Sequence, residues 1–229
     1  MKGKHNHYKP YVLARPDVRI SNERDSEEVI VGDGTPWVIT FDSFLSDEEC
    51  EKLIELGYEG GYEGSENGTF DGKESTLGSS ESAWCDESCQ KDPMVKSLMS
   101  RIQSITQVPE ENSELLLISK FEQGQFYQVQ HDFITQQTYR NSGPRILTFL
   151  FFLNDVEEGG KTRFPSLDVT IAPKKGRAIL WPNSLSDDCY KQEKMTSHEA
   201  LPVTKGKKFT ATARLHLKNY RAGYDENCA

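Results

Sequence analysis

The sequence predicts a mainly β (α+β) fold of sandwich or jelly-roll type, with two helices packed outside one sheet. Two observations predict it. From residue 115 onward the chain is a succession of short segments rich in Val, Ile, Leu, Phe, Thr and Trp, separated by turn residues. Ahead of them lie two segments with apolar residues at helical spacing. Helices first and strands after is the order expected when helices cover one face of an antiparallel sheet.

Residues 1–34 read as a polar arm, with Pro10, Pro16, a charged run over 22–28 and one edge strand near Val29, Ile30 and Val31. Residues 35–229 read as a single domain, long enough to bury a core. Residues 37–41 (WVITF) form a strand by their β-branched and aromatic content. Ser46 followed three residues later by Glu49 is a capping-box pattern, so a helix starts there and is expected to stop at Gly57. Residues 57–82 are rich in Gly, Ser, Glu and Asn, which reads as a loop or lid. Val95, Leu98, Met99, Ile102 and Ile105 then mark one apolar face of a second helix. Strands follow over 115–121, 126–133, 145–153, 162–164, 168–171, 177–181, 197–203 and 208–217. Asn154-Asp155, Gly159-Gly160, Pro173, Gly176, Pro182-Asn183 and Lys205-Gly206 supply the turns.

A net charge of -9 over 229 residues argues against a nucleic-acid binder, which needs a basic surface for phosphates. It suits a basic protein or peptide partner. The longest apolar run, residues 146–153, is only strand-length, so no membrane span is expected. The polar start is no signal peptide, and the compartment stays open between the secretory-pathway lumen and the cytoplasm. Cysteines number five. Cys85 and Cys89 are spaced to close a small disulfide loop or to remain thiols, and one such pair is too few for a structural zinc site.

The chemistry gathers at Gln130-His131-Asp132, His198 and Lys208. Along a strand, side chains alternate faces, so Gln130 and Asp132 point one way and His131 the other. Two imidazoles, a carboxylate and a cation on separate strands have the makings of a non-haem iron site with an acidic cosubstrate. A solitary strand histidine is ordinarily a core residue. His198, however, sits in the block His-Glu-Ala-Leu-Pro-Val with Lys208 ten residues on.

Further motifs run in order over roughly residues 36–220. They are Phe44-Leu45-Ser46-Asp47-Glu48-Glu49-Cys50, Gly124-Gln125-Phe126-Tyr127, Gly159-Gly160-Lys161-Thr162-Arg163-Phe164-Pro165 and Ile179-Leu180-Trp181-Pro182-Asn183. Together they resemble the prolyl 4-hydroxylase family of Fe(II)/2-oxoglutarate dioxygenases. The resemblance implies a double-stranded β-helix, with Fe(II), 2-oxoglutarate and O2 as cofactors and ascorbate as an optional addition. It implies Asp132 and His198 as metal ligands and Lys208 as the partner of the 2-oxoglutarate C5 carboxylate, with Thr162 and Tyr127 beside it.

Where the family has its first histidine ligand, this chain has Gln130. The amide oxygen of Gln130, or His131 turned inward by a bulge, is then the candidate third ligand. Other departures are Phe121 for a tyrosine of the cosubstrate pocket, Gly78 for an arginine of the substrate loop, and Arg214 for a tryptophan. The implied activity is hydroxylation of peptidyl proline or a related substrate. The alternatives are a non-catalytic module that binds a Pro-rich peptide, and a changed reaction on a non-peptide substrate. The sequence does not reveal the oligomeric state.

Overall fold

The computed structural model of the chain describes residues 9–14, 35–64 and 80–225. Two antiparallel sheets face each other in a double-stranded β-helix. The larger runs in the order Lys9–Ala14, Val38–Asp42, Ala178–Pro182, Arg145–Phe152, Lys208–His216, Leu117–Phe121, Glu81–Trp84, Glu63–Gly64. The smaller runs Val169–Ile171, Thr162–Phe164, His198–Ala200, Tyr127–Gln130. A short ribbon pairs Val203–Lys205 with Glu158–Gly159.

The central strand Arg145–Phe152 is apolar on both faces because both faces are covered. Phe149 and Phe151 join a core completed by Leu53 and Leu56 of the first helix and Val95, Leu98 and Ile102 of the second. Phe152, on the opposite face, packs with Val38, Phe164, Ile179 and Trp181 between the sheets. The helices therefore cover the outer face of the larger sheet, and the inner face is left for the site.

The first helix, Asp47–Gly60, begins with the anticipated box: the Ser46 hydroxyl accepts from Glu49 N, and the Glu49 carboxylate accepts from Ser46 N. It does not stop at Gly57. That glycine is buried mid-turn, where a Cβ would run into the Tyr62 ring, so its small size serves packing. The second helix spans Pro93–Thr106, capped by Asp92. A five-residue helix, Glu87–Lys91, precedes it, and the Cys85–Cys89 disulfide closes over its start.

Three further differences from the sequence reading concern edges. Lys9–Ala14 is paired with Val38–Asp42 as the outermost strand, although its residues read as arm. The strand expected at residues 29–31 lies outside the described residues. Within the expected loop over 57–82, residues 57–60 are helical, and Glu63–Gly64 pairs with Glu81–Trp84. The stretch between, with Gly78, lies outside the described residues.

Gly176 fixes the entry to the first helix. Its carbonyl accepts from Phe44 N (2.8 Å) and Leu45 N (3.1 Å), its φ is +78°, and a Cβ there would meet the Leu45 carbonyl. Gly176→Ala should therefore lower stability by about 2 kcal/mol from left-handed strain and the clash together. Urea denaturation checks this through a lower midpoint at unchanged slope; an unchanged midpoint would show that the junction relaxes freely.

Candidate active site

One end of the space between the sheets is a cavity of about 160 Å³. The smaller sheet brings Gln130, Thr162 and His198 to its wall, and the larger sheet brings Thr148, Lys208 and Arg214. Asp132, just past the end of Tyr127–Gln130, completes it. Register explains the meeting of distant residues: His198 lies opposite Gln130 in the antiparallel pair.

Asp132 is 5% exposed, and both carboxylate oxygens are engaged. Thr148 Oγ1 donates to Oδ2 at 2.7 Å, and Arg214 Nε donates to Oδ1 at 3.1 Å. Behind Thr148, Asn183 Nδ2 donates to the threonine oxygen at 2.8 Å. Arg145 Nη1 donates to the Asp132 carbonyl at 3.3 Å while its fork grips Glu114, which also meets His216 Nε2 at 2.8 Å. Burial works to raise the Asp132 pKa. Arg214, His198, Arg145 and the Thr148 hydroxyl override it and hold the carboxyl well below the usual range.

His198 Nδ1 donates to the Thr196 carbonyl at 3.1 Å. In the neutral ring this leaves Nε2 as a lone pair, 3.9 Å from Asp132 Oδ2. A lone pair facing a carboxylate calls for a cation between them, either a proton or a metal, and a histidine held through its other nitrogen has the posture of a metal ligand. Trp181 packs edge-on against the ring at 4.9 Å and limits its rotation.

His131, the alternative third ligand, is turned out of the cavity. Its Nδ1 accepts from Phe133 N at 2.9 Å, and its Nε2 donates to the Glu193 carbonyl at 2.7 Å, so neither nitrogen has a lone pair left for a metal. The β-bulge in this strand pair falls between Tyr127 and Gln130, ahead of His131, and does not re-aim it. Gln130 takes the inward position. Among the described residues no three His, Cys, Asp or Glu side chains converge on one point. The residues fit an iron ion at two strong donors, Asp132 and His198, with the Gln130 carboxamide as a weak third.

Lys208 is 2% exposed and has no carboxylate partner among the described residues; its Nζ lies 4.9 Å from the Phe121 ring centroid and 5.6 Å from that of Phe152. Burial pushes its pKa down to about 7. Gly160 makes room for it: a Cβ there would press on the lysine stem at 3.3 Å. Thr162 is buried at the same cavity, and Tyr127, edge-on to Phe121 at 5.6 Å, accepts a 2.8 Å hydrogen bond from Ser80.

In the sequence Arg214 stands only as a replacement for a tryptophan, and its ion pair with Asp132 is new with the structure. The signal was present, because Lys208, Thr210, Thr212 and Arg214 alternate in phase on one strand. The supports Thr148, Asn183 and Glu114 carried no local signal.

The family model of the 2OG-Fe(II) oxygenase superfamily matches residues 116–216. A probable prolyl 4-hydroxylase 8 of Arabidopsis thaliana is 30% identical over 207 residues, covering 81% of this chain and 70% of that protein. Prolyl 4-hydroxylase subunit alpha-2 of Gallus gallus is 31% identical over 190 residues, covering 80% of this chain and 34% of that subunit. The chain thus spans about a third of the animal subunit's length, and 66% of a probable prolyl 4-hydroxylase 7 of Arabidopsis thaliana. Among solved structures, the 2OG complex of a viral collagen prolyl hydroxylase from Paramecium Bursaria Chlorella virus-1 superposes with TM-score 0.65 at 25% identity. It covers 78% of this chain and 95% of that one.

Lys208 carries a pH signature. Its folded pKa of about 7 lies below the ordinary lysine value, so between pH 7 and about 10.5 the unfolded chain binds a proton that the native state does not. Lys208 therefore makes stability rise with pH across that window, and below it the burial cost is constant. Lys208→Met should raise stability at pH 7.5 by at least ~1 kcal/mol and flatten the alkaline rise. Thermal melts from pH 6 to 10 check this; a destabilised variant with the wild-type slope would refute it.

Proposed function

Because the chain belongs to the prolyl 4-hydroxylase family of 2OG-Fe(II) oxygenases, we propose that it is a 2-oxoglutarate-dependent oxygenase of peptidyl proline or a related substrate. The observation that carries the proposal is the opening of Asp132, His198 and Lys208 into one cavity. In this reading Asp132 and His198 hold Fe(II), with the Gln130 amide oxygen as third donor. An iron ion held there would supply O2 activation coupled to 2-oxoglutarate decarboxylation, with ascorbate as an optional added reductant.

The protein's own residues do the rest. Lys208 pairs with the cosubstrate's distal carboxylate. The match raises the lysine pKa again, because a buried carboxylate favours the charged ammonium. Thr162 offers a hydroxyl beside it. Phe121, Leu150 and Trp181 line the cavity and exclude water from the cosubstrate. The viral relative is a collagen prolyl hydroxylase, which supports a peptide partner, Pro-rich in this reading.

A second reading has its own observation. Arg214 neutralises Asp132, and a carboxamide stands at the third ligand position. Both weaken iron binding and favour a module that retains cosubstrate and peptide recognition with little turnover.

Anaerobic titration with Fe(II) and 2-oxoglutarate separates the two. The visible charge-transfer band of the chelate is expected in the first reading and absent in the second. Gln130→His should tighten Fe(II) binding at least tenfold and raise succinate release, while His131→Ala leaves bound iron unchanged. Iron lost with His131→Ala and unaffected by Gln130→His would reverse the assignment. Lys208→Ala should weaken 2-oxoglutarate binding far more than Lys207→Ala, since Lys207 is exposed and paired with Glu122 at 3.0 Å. Equal losses from both would reject Lys208 as the anchor.

A further inference from the structure

We infer that Lys208 and Arg214 form a two-ended clamp that holds a dicarboxylate such as 2-oxoglutarate without a metal, the Arg214 guanidinium standing in for the metal's charge. The inference rests on the reading of the cavity as a 2-oxoglutarate site.

Both cations come from the strand Lys208–His216 and share its inward face with Thr210 and Thr212. At roughly 3.3 Å per residue their Cα atoms stand ~20 Å apart, a span that two long side chains and a five-carbon diacid can bridge together. Lys208 sits at one end, buried, with the Phe121 and Phe152 rings beside its amine and no carboxylate partner among the described residues. Arg214 sits at the other, where Asp132 and His198 converge.

The charges do not balance among the side chains present. Among the described residues Asp132 is the carboxylate that hydrogen-bonds Arg214, through Nε, and Glu114 acts on the guanidinium without a direct contact. A guanidinium carries five N–H donors, so the two terminal nitrogens of Arg214 keep theirs for a ligand. Glu199, also at the wall, is committed to Arg163. Arg145 is committed to Glu114. Among the described residues the cavity thus presents the Arg214 guanidinium and the buried Lys208 amine against one half-shared carboxylate, and a dianion with a carboxylate at each end completes Arg214 and holds a proton on Lys208. Thr210 and Thr212 lie between the two ends on the same strand face and Thr162 lines the cavity from the smaller sheet, and their hydroxyls suit oxygens along the ligand.

A clamp of this kind recognises the two carboxylates and ignores the keto group, whereas metal chelation requires the keto oxygen. Isothermal calorimetry in EDTA tests it, with 2-oxoglutarate and glutarate as probes. Both should bind wild-type protein within about threefold of each other. Arg214→Gln should weaken metal-free binding of both at least tenfold, Arg214→Lys should restore most of it, and Lys208→Met should abolish it. Circular dichroism confirms folding. The wild-type comparison of the two diacids stands even if an Arg214 variant misfolds.

Binding of 2-oxoglutarate only after Mn(II) or Fe(II) is added, still lost in Lys208→Met, would overturn the clamp and leave the cosubstrate reading intact. Full binding retained by Lys208→Met would sink the cosubstrate reading itself. Wild-type affinity in Arg214→Gln, or glutarate failing where 2-oxoglutarate binds in EDTA, would likewise overturn the clamp.

Discussion

The buried carboxylate of Asp132 is the joint on which both the cavity and the two-sheet arrangement depend. The residue follows the last strand of the smaller sheet, yet every group that satisfies its side chain comes from the larger one: Thr148 and Arg214 directly, and Asn183 through Thr148. An ionised carboxylate so deeply buried is tolerable only when charged or polar donors surround it. The requirement ties the sheets together at one end. It also fixes the distance across which His198 and Gln130 face the long strand. Glu114 and His216 extend the network behind Arg145, so the backbone at Asp132 is braced as well as its side chain.

The opposite end of the cavity is built on the contrary principle. Lys208 is buried against phenylalanine rings with no counter-charge among the described residues, and the remaining core must supply the stability that this arrangement removes. Phe149 and Phe151 on the helix-facing side, and Phe152 and Trp181 between the sheets, are fully or almost fully buried and provide that margin. A site that stores unfavourable electrostatics in the unliganded state binds the complementary charge more strongly, because the ligand relieves the desolvation already incurred. One end is thus satisfied internally and shared with a ligand, while the other stands open for one.

Much of this was legible in the chain. The capping box at Ser46 and Glu49, the apolar face from Val95 to Ile102 and the β-branched runs place the helices and most strands, because those signals are local. Asp132, His198 and Lys208 were legible through ordered motifs, and the inward Gln130 through strand alternation. What escaped depends on partners distant in sequence. Lys9–Ala14 is a strand only because Val38–Asp42 offers it an edge, and Pro10 is compatible with an outer strand. Gly57 looks like a stop until Tyr62 is seen packed on it. Thr148, Asn183 and Glu114 lie on three separate segments, and only the sheet topology shows that they converge near one carboxylate.

The strand Lys208–His216 is a ribbon with two independent tracks. Phe209, Ala211, Ala213 and Leu215 lie on the track that meets the helices, while Lys208, Thr210, Thr212 and Arg214 lie on the track that lines the cavity. The first track packs into the helix-side core and the second faces the cavity. A lineage can therefore rewrite the cavity's chemistry one residue at a time, exchanging an aromatic ring for a guanidinium, without disturbing the hydrophobic contacts that keep the domain folded. The same separation means that intact folding carries no guarantee of an unchanged reaction. Divergence in this fold is cheapest on the face where selection for chemistry acts.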